Sequence, residues 1–433
     1  MNGGGCARVQ RIAVIGAGAA GLCAARHLAC SKKFKPTVFE GTDRVGGTWV
    51  YTDRTEKDEN GYPVHSSMYN DLITNLPKQV MAFPEFPFPD SLPSFLHHTN
   101  VLGYLENYSH HFDLLKYIKF HNYVEEIKVI PNTENSDNFP RWEVKTFDWK
   151  QNQHESHVFD GIMICNGHYS VPSFPSIEGM SEFEGEILHS HHFRTSKQYA
   201  DKTVVLFGGH ASGIDIALQL CPVAKEVVLS HKGNLLSPFP DNLRQAPVIS
   251  KITGNGVIFK DGTSSNCDAI MFCTGYKYTF PFLKDPIIKS VEKNRVSPLY
   301  KHLIHIHYPN LSFIGICHTV CPFPQFRCQV LYAMGVLDGS VILPSTEEML
   351  LEEENDYQKR VKQGLPFRGS HILANDQWAY NDELADLSGH ERIPDSVRLL
   401  YNLVQERRAY NLQTYKQDEF AMASNGHYYR SGV

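Results

Sequence analysis

Arg11-Ile-Ala-Val-Ile15, followed without a break by Gly16-Ala-Gly18-Ala-Ala-Gly21, decides how the rest of the chain is read. The first five residues are a short β-branched apolar run, as a buried parallel strand requires. Ala19 to Ala29 is an alanine-rich stretch suited to a helix. Strand, glycine turn and helix in that order make a dinucleotide-binding βαβ start. Gly16 allows the tight turn, Gly18 lets a pyrophosphate approach the backbone, and Gly21 lets helix and strand pack closely. The amides at Ala19 and Ala20 then offer the phosphates the positive end of the helix. A second strand, Pro36-Thr-Val-Phe-Glu40, ends in an acid about 20 residues after the last glycine, where a ribose-binding carboxylate belongs. Arg44 and the turn Gly46-Gly47-Thr48-Trp49 come next. Glycines there let the chain pass close to the cofactor, and Trp49 can cover it.

The same grammar returns much later. Thr203-Val-Val-Leu-Phe207 predicts a strand, Gly208-Gly209-His210-Ala-Ser212-Gly213 the turn, and Ile214 to Leu220 a helix. The next strand, Glu226 to Ser230, ends in His231-Lys232 rather than an acid. A basic tip suits a 2′-phosphate, so the second nucleotide is expected to be NADPH. One residue departs from the pattern. His210 stands where the second glycine should be, so the nucleotide is expected to sit slightly displaced, or the imidazole to donate to a phosphate.

Between and around these units, Trp142 to Thr146 and Val158 to Cys165 read as strands. Asn255-Gly256 marks a hairpin, and Ala269 to Cys273 a strand running into Thr274-Gly275-Tyr276. Ser345-Thr-Glu-Glu348 is a capping box, opening a helix that Gly364-Leu-Pro366 stops. The expected fold class is α/β, with two dinucleotide-binding Rossmann-like domains and the NADP domain inserted in the FAD domain. The parts are residues 1–168, an inserted 169–276, and a returning 277–433 with a helical tail.

Composition excludes more than it names. The chain has 433 residues, 41 basic against 47 acidic side chains for a net charge of −6, and 42% hydrophobic residues. That length predicts two or three domains. The acidic excess argues against a nucleic-acid partner, which needs a basic stripe. No run reaches the about 20 apolar residues of a membrane helix, so no membrane anchor is expected. Ten cysteines are scattered, several within apolar runs, as in a reduced intracellular protein. The group Cys317, His318, Cys321 and Cys328 fits no common zinc spacing, so no metal is expected. Cytoplasmic localisation follows, with secretion after loss of a leader as the alternative that would give the sequons at Asn107 and Asn310 meaning.

Several further stretches resemble one family, the flavin-containing monooxygenases. Phe183-Glu-Gly185-Glu-Ile-Leu-His189-Ser-His-His-Phe193 matches that family's identifying pattern and stands just before the second glycine turn. Met68-Tyr69-Asn-Asp-Leu72-Ile-Thr74-Asn75-Leu76-Pro77-Lys78 is similar to its flavin-facing segment, Phe86-Pro-Phe-Pro89 follows in place, and Cys273-Thr274-Gly275-Tyr276 resembles its second linker. The tail, with Gln377-Trp378-Ala-Tyr380, looks most like the insect members, among them the pyrrolizidine-alkaloid (senecionine) N-oxygenases.

The resemblance implies FAD at the first turn and NADPH at the second. It implies oxygenation of a tertiary amine or a thioether by O2 through a flavin C4a-hydroperoxide. FAD would touch Gly16, Gly18, Ala19, Ala20, Gly21, Glu40, Arg44, Gly47, Thr48, Trp49, Thr74, Asn75, Leu76 and Gln329. NADP would touch Gly208, Gly209, His210, Ser212, Gly213, His231, Lys232, Thr274 and Gly275. Asn75 aligns with the family's active-site asparagine, and a neutral amide can donate and accept without titrating. His189 is expected to fix the linker between domains, and His191, His192, His302, His305 and His307 to pack or face solvent. Oligomers are common in the family, so a homo-oligomer is expected. Competing readings are a Baeyer–Villiger ketone monooxygenase and a non-catalytic NADPH or flavin sensor, which His210 favours. A disulfide reductase needs a cysteine pair near Trp49, and none is there.

Overall fold

Ile12, Ala13 and Val14 are fully buried, and they serve two cores at once. Ile12 and Val14 pack into one hydrophobic cluster, Ala13 and Ile15 into another. A strand buried on both faces reads as a continuous apolar run, and each large aliphatic side chain so buried contributes roughly 1.5–3 kcal/mol. The structure is a computed structural model that describes residues 8–130, 139–284, 287–288, 294–365, 369–423 and 426–431. Cys6 and Pro366 lie outside the described residues.

The strand Gln10–Ile15 lies inside a seven-stranded sheet, between Phe34–Phe39 and Gly161–Ile164 and parallel to both. Leu311–Phe313 extends the sheet beyond Gly161–Ile164, again in parallel. Leu299–Tyr300 and Ile304–His305 finish that edge with antiparallel pairs. The second sheet is five-stranded and parallel throughout. At its centre Thr203–Phe207 lies between Glu226–Ser230 and Ala269–Phe272, as Gln10–Ile15 does in the first. The first sheet thus takes strands from before residue 165 and after 298, and the second from between them, so one unit is inserted in the other.

Two chain crossings join the units, and they run side by side. Val171–Pro172 pairs antiparallel with Tyr276–Lys277, Ser173 N–H donates to Gly275 O at 2.9 Å, and Thr274 Oγ1 donates to Ser173 O at 2.5 Å.

Two local readings change. The run Val158 to Cys165 is two strands, Gln153–Phe159 and Gly161–Ile164. The break falls at Asp160, whose carboxylate accepts the Arg11 N–H at 2.7 Å while the chain leaves a three-stranded antiparallel sheet for the parallel one. The hairpin turn is Gly254-Asn255 rather than Asn255-Gly256, since Thr253 pairs with Gly256. Gln329, placed against FAD by the resemblance, sits on a helix. It lies in the middle of Pro322–Asp338, which begins with proline at its first position, where the missing N–H costs nothing.

The tail is three further helices, Thr346–Lys362, Gln377–Ser388 and Asp395–Tyr410, then a hairpin of Glu419–Met422 with Tyr428–Ser431. It folds back on the segment after Asn75. Ser94 N–H donates to Glu419 Oε2, and Phe420 N–H donates to Ser94 Oγ, both at 2.9 Å. Among the described residues no helix is long and apolar enough to cross a membrane.

Candidate active site

The two glycine turns are built alike. A Cβ on Gly21 would lie 1.8 Å from Gly16 O, and one on Gly213 would lie 1.8 Å from Gly208 O. Gly16 and Gly208 have φ of +104° and +128°, and a Cβ there would stand 2.7 Å from Cys165 O and 2.4 Å from Cys273 O. Each turn therefore presses against the carboxyl end of the strand on its far side, at the switch point where open α/β sheets take nucleotides.

Gly18 caps the first helix, Ala19–Cys30, whose leading amides, Ala19 and Ala20 among them, have no intrahelical acceptor. Gly47 faces Gly18. A Cβ on Gly47 would be 3.0 Å from Gly18 Cα, so the two loops leave a backbone-lined slot that fits a pyrophosphate. Glu40 is locked, accepting Ala17 N–H at 2.8 Å through one oxygen and Thr42 N–H and Oγ1–H at 2.9 and 2.8 Å through the other. Its lone pairs remain able to accept a ribose hydroxyl. Thr48 and Trp49 form a short 3-10 turn with Gly47. Trp49 meets Phe323 edge-on at 6.5 Å. Arg44 pairs with Asp43 at 2.9 Å with both more than half exposed, an arrangement worth little.

His210 caps the second helix, Ala211–Leu220, at φ −92°, ψ −167°, and Gly18 caps the first at φ −74°, ψ −172°. The two share an extended backbone any residue adopts, so the missing glycine does not deform the turn. Ser212 lies partly buried in the first turn of that helix. The basic tip divides. His231 is buried, its Nδ1 accepting Gly233 N–H at 3.2 Å and its Nε2 donating to Gln245 Oε1 at 2.9 Å. A Cβ on Gly209 would sit 2.7 Å from His231 Cγ, so the imidazole is a floor under the turn. His231 is thus withdrawn from the pairing the sequence suggested, and exposed Lys232 is left as that tip's cation.

A cleft opens between the units. Tyr169 is 45% exposed as a whole residue, while desolvation of its hydroxyl pushes it up to about 12. Desolvation takes His168 down to about 3, with His318 adding to it. His318 is held at about 4 by desolvation first, then by His210 and by Arg360. These rings are neutral at pH 7. His189 is fully buried between Phe174 and Tyr276, one on each linker, with ring centroids 5.4 and 5.2 Å away, consistent with a linker-fixing role.

Thr74 and its neighbours explain how Asn75 is held. Thr74 N–H donates to Leu96 O at 2.8 Å, Leu96 N–H to Thr74 Oγ1 at 2.9 Å, and His98 N–H to Leu72 O at 3.0 Å. On the other side Leu76 is buried in the core, and Lys78 N–H donates to Ser94 O at 2.6 Å. The backbone is braced on both sides of Asn75, while the side chain is exposed and has no protein partner among the described residues. It lines a cavity of about 450 Å³ shared with Ala211 at the start of the second-turn helix and with the tail from Arg408 to Lys416.

Gln329 is fully buried and committed to protein. It accepts Gly315 N–H at 2.9 Å and donates to Tyr380 Oη at 2.9 Å, which sets the loop after Leu311–Phe313 rather than leaving the amide free. Arg194 escaped sequence reading. Buried, it donates to the carbonyls of Thr52, Arg54, His191 and Phe193 at 2.7–3.0 Å, tying the segment before the flavin-facing stretch to the end of the identifying pattern. No local signal distinguishes such an arginine from a solvated one. Among the described residues no cluster of three His, Cys, Asp or Glu could hold a metal ion, and Cys317, Cys321 and Cys328 are buried free thiols raised by desolvation.

Two glycine turns at equivalent points of two sheets whose central strands run parallel, joined by paired linkers, define a flavoprotein of the two-dinucleotide class. The sequence matches the FMO-like family, described as flavin-binding monooxygenase-like, over residues 9–236 and 242–404, and the chain belongs to that family. It is 35% identical over 434 residues to flavin-containing monooxygenase FMO GS-OX-like 4 of Arabidopsis thaliana, covering 95% of this chain and 94% of that one. Among solved structures, S-allyl-L-cysteine S-oxygenase from Allium sativum superposes with a TM-score of 0.88 at 34% identity, covering 95% and 96% of the two chains. Tmm from Pelagibacter sp. strain HTCC7211 gives 0.84 at 28% identity, covering 96% and 95%.

The protein is a flavin-containing monooxygenase enzyme, and its cofactors are FAD and NADPH. These relatives correct the insect N-oxygenase subgroup suggested by the tail. The residues behind that suggestion are packing residues. Trp378 and Tyr380 are buried, and Tyr380 Oη donates to Lys301 O at 2.9 Å, so they report the fold rather than the substrate.

Proposed function

We propose that this protein S-oxygenates thioethers, converting thioether, O2, NADPH and a proton to sulfoxide, NADP+ and water. The observation that carries the reading is the shared cavity, where the Asn75 amide, without a partner among the described residues, and the start of the second-turn helix meet. Gly16, Gly18, Gly21, Glu40 and Gly47 would hold FAD, and Gly208, Gly213 and Lys232 would hold NADPH, with Thr274 and Gly275 in the crossing beside it. Bound reduced flavin supplies the activation of O2.

The chain's part is to position and to exclude water. Asn75, fixed by its braced backbone, supplies a preorganised hydrogen bond that needs no reorganisation during reaction. Trp49, edge-on to Phe323, and the desolvated His168 would help to exclude water beside the cofactor. A thioether sulfur is nucleophilic without deprotonation, so the neutral histidines around the cleft fit a site that needs no general base. The plant relatives support sulfur as the acceptor, one being an S-oxygenase by name.

The test is NADPH consumption by the purified flavoprotein with thioethers, tertiary amines including pyrrolizidine alkaloids, and ketones, with products and hydrogen peroxide measured in parallel. Sulfoxide as the preferred product is expected; N-oxides in preference to sulfoxide would overturn the assignment in favour of tertiary amines, and esters or lactones in favour of ketones. The Asn75→Ala variant is expected to keep its flavin while diverting most NADPH-derived electrons to peroxide. Full coupling in that variant would remove Asn75 from the site.

A further inference from the structure

The tail passes the cavity beside Asn75 as a short strap with a foot in each nucleotide-binding unit. Leu412 is buried in the hydrophobic core of the inserted unit, with Leu206 and Leu229 of its sheet. Tyr415, three residues on, belongs to the other core with Leu76 and Phe95, and meets Phe95 edge-on at 5.4 Å. Polar contacts repeat the division. Leu412 N–H donates to Ser237 Oγ at 2.9 Å and the Gln413 amide to Pro238 O at 3.1 Å, both on the inserted unit. Lys416 donates to Ile73 O at 2.8 Å, two residues before Asn75. The base of the strap is pinned as well, because Arg407 in the preceding helix holds Asp418 beyond it at 2.8 Å.

One carboxylate gathers these threads. Asp215, on the second-turn helix Ala211–Leu220, forms an ion pair with Lys416 through Oδ1 and accepts the Tyr69 hydroxyl through Oδ2. Tyr69 comes from the flavin-facing segment yet packs into the core of the inserted unit. Burial first, then the Asp215 charge, push its hydroxyl well above the ordinary 10, so it remains a donor. Gln219, one turn further along the same helix, donates to Asp71 O at 3.0 Å. The Lys416 and Asp215 side chains are only 19% and 20% exposed, so removing one leaves the other poorly solvated and uncompensated. Asp71 and Arg408, the other charged side chains of the cavity wall, ion-pair with neither among the described residues.

From this arrangement we infer that Lys416, Asp215 and Tyr69 form a latch that fixes the second glycine turn in position against the flavin-facing segment. They are positioning residues. Ala211 opens the helix that carries Asp215, and Ile73 O stands two residues before Asn75, so the latch joins the point that receives one nucleotide to the point that faces the other. A displacement of about 1 Å between reacting groups costs roughly a hundredfold in rate, which is the leverage a broken latch has over hydride transfer. The inference rests on NADPH lying at the second turn and is independent of which atom of the substrate is oxygenated.

The experiment uses the holoenzyme and its Lys416→Met, Lys416→Arg, Asp215→Asn and Lys416→Met/Asp215→Asn variants. Three quantities are read: flavin per mole of chain, the limiting rate of anaerobic flavin reduction at saturating NADPH, and the dissociation constant of NADP+ by calorimetric titration without turnover. Lys416→Met is expected to keep its flavin while the limiting rate falls roughly ten- to a hundredfold and NADP+ binding weakens. Lys416→Arg should recover most of both. The double variant should be no worse than the poorer single one, as for partners in one interaction; losses that simply add would overturn the pairing. A lower melting midpoint with the rate and the NADP+ dissociation constant both unchanged in Lys416→Met would overturn the inference, since a merely structural tie behaves that way. Should Lys416→Met not retain flavin, Asp215→Asn, which keeps an acceptor for Tyr69, is judged by the same measures. The place of the nucleotide is tested apart from the latch. NADP+ affinity left intact in Gly213→Ala would remove NADPH from the second turn, and the latch with it, whereas intact affinity and rate in the Lys416 and Asp215 variants alone would remove only the latch.

Discussion

A Cβ on Gly21 would lie 1.8 Å from Gly16 O, and on Gly213 the same distance from Gly208 O. Backbone must move to admit it, because neither contact involves a flexible side-chain end. Gly21→Ala is expected to yield protein with little or no bound flavin, measured by absorbance per mole of chain. Gly213→Ala should keep its flavin and raise the KM for NADPH roughly tenfold or more, since its clash lies within the second turn; flavin loss in both variants alike would contradict that separation. Gly18 teaches the opposite lesson. It shares its backbone with His210, so that position was never demanded by φ, and the departure at 210 concerns what approaches the turn. His231 was legible as a cation after a strand, but its burial was not, because the Gln245 that binds it lies on a neighbouring strand.

At the scale of elements, the helix Thr346–Lys362 begins where a four-residue signal put it. Ser345 Oγ accepts Glu348 N–H at 3.3 Å, and Glu348 Oε2 accepts Ser345 N–H at 2.9 Å. Removing the hydroxyl in Ser345→Ala should cost about 1 kcal/mol, seen as a small fall in denaturation midpoint with activity retained; a midpoint equal to the wild type's would show that this helix end is held by its tertiary contacts instead. Caps, turns and buried parallel strands were legible because a few adjacent residues satisfy them. The division at Asp160 was not, because an apolar run does not record that one half pairs antiparallel with Arg141–Asp148 and the other parallel with Gln10–Ile15.

For the whole molecule, stability should depend on pH through histidines buried at the junction. Desolvation first, then neighbouring cations and histidines, hold His191 at about 4, and desolvation holds His189 at about 4, against an ordinary 6.5. A folded-state value below the unfolded one means the unfolded chain takes up protons first. Stability is therefore undiminished above about 6.5 and is lost progressively as the pH falls from 6.5 towards 4. Thermal melts should shift downward between pH 7.5 and 5, by less in a His189→Asn variant; a flat profile would show that these rings are solvated in the native state. Arg194 acts at the same scale, since its carbonyl acceptors come from both sides of the junction.

The sequence by itself determined that two dinucleotide-binding units exist, which strand and helix each turn joins, and the family. Those requirements are met within a handful of adjacent residues, as Gly16 and Gly21 meet each other. Tertiary structure alone decided that His231 is a floor and Lys232 an exposed cation. It also decided that Gln329 is spent on Gly315, and that the tail reaches the cavity beside Asn75. The physical reason is neutralisation. Whether a charge or a polar group is available to a ligand depends on which distant side chain has already satisfied it, as Lys416 satisfies Asp215 and nothing among the described residues satisfies Arg408.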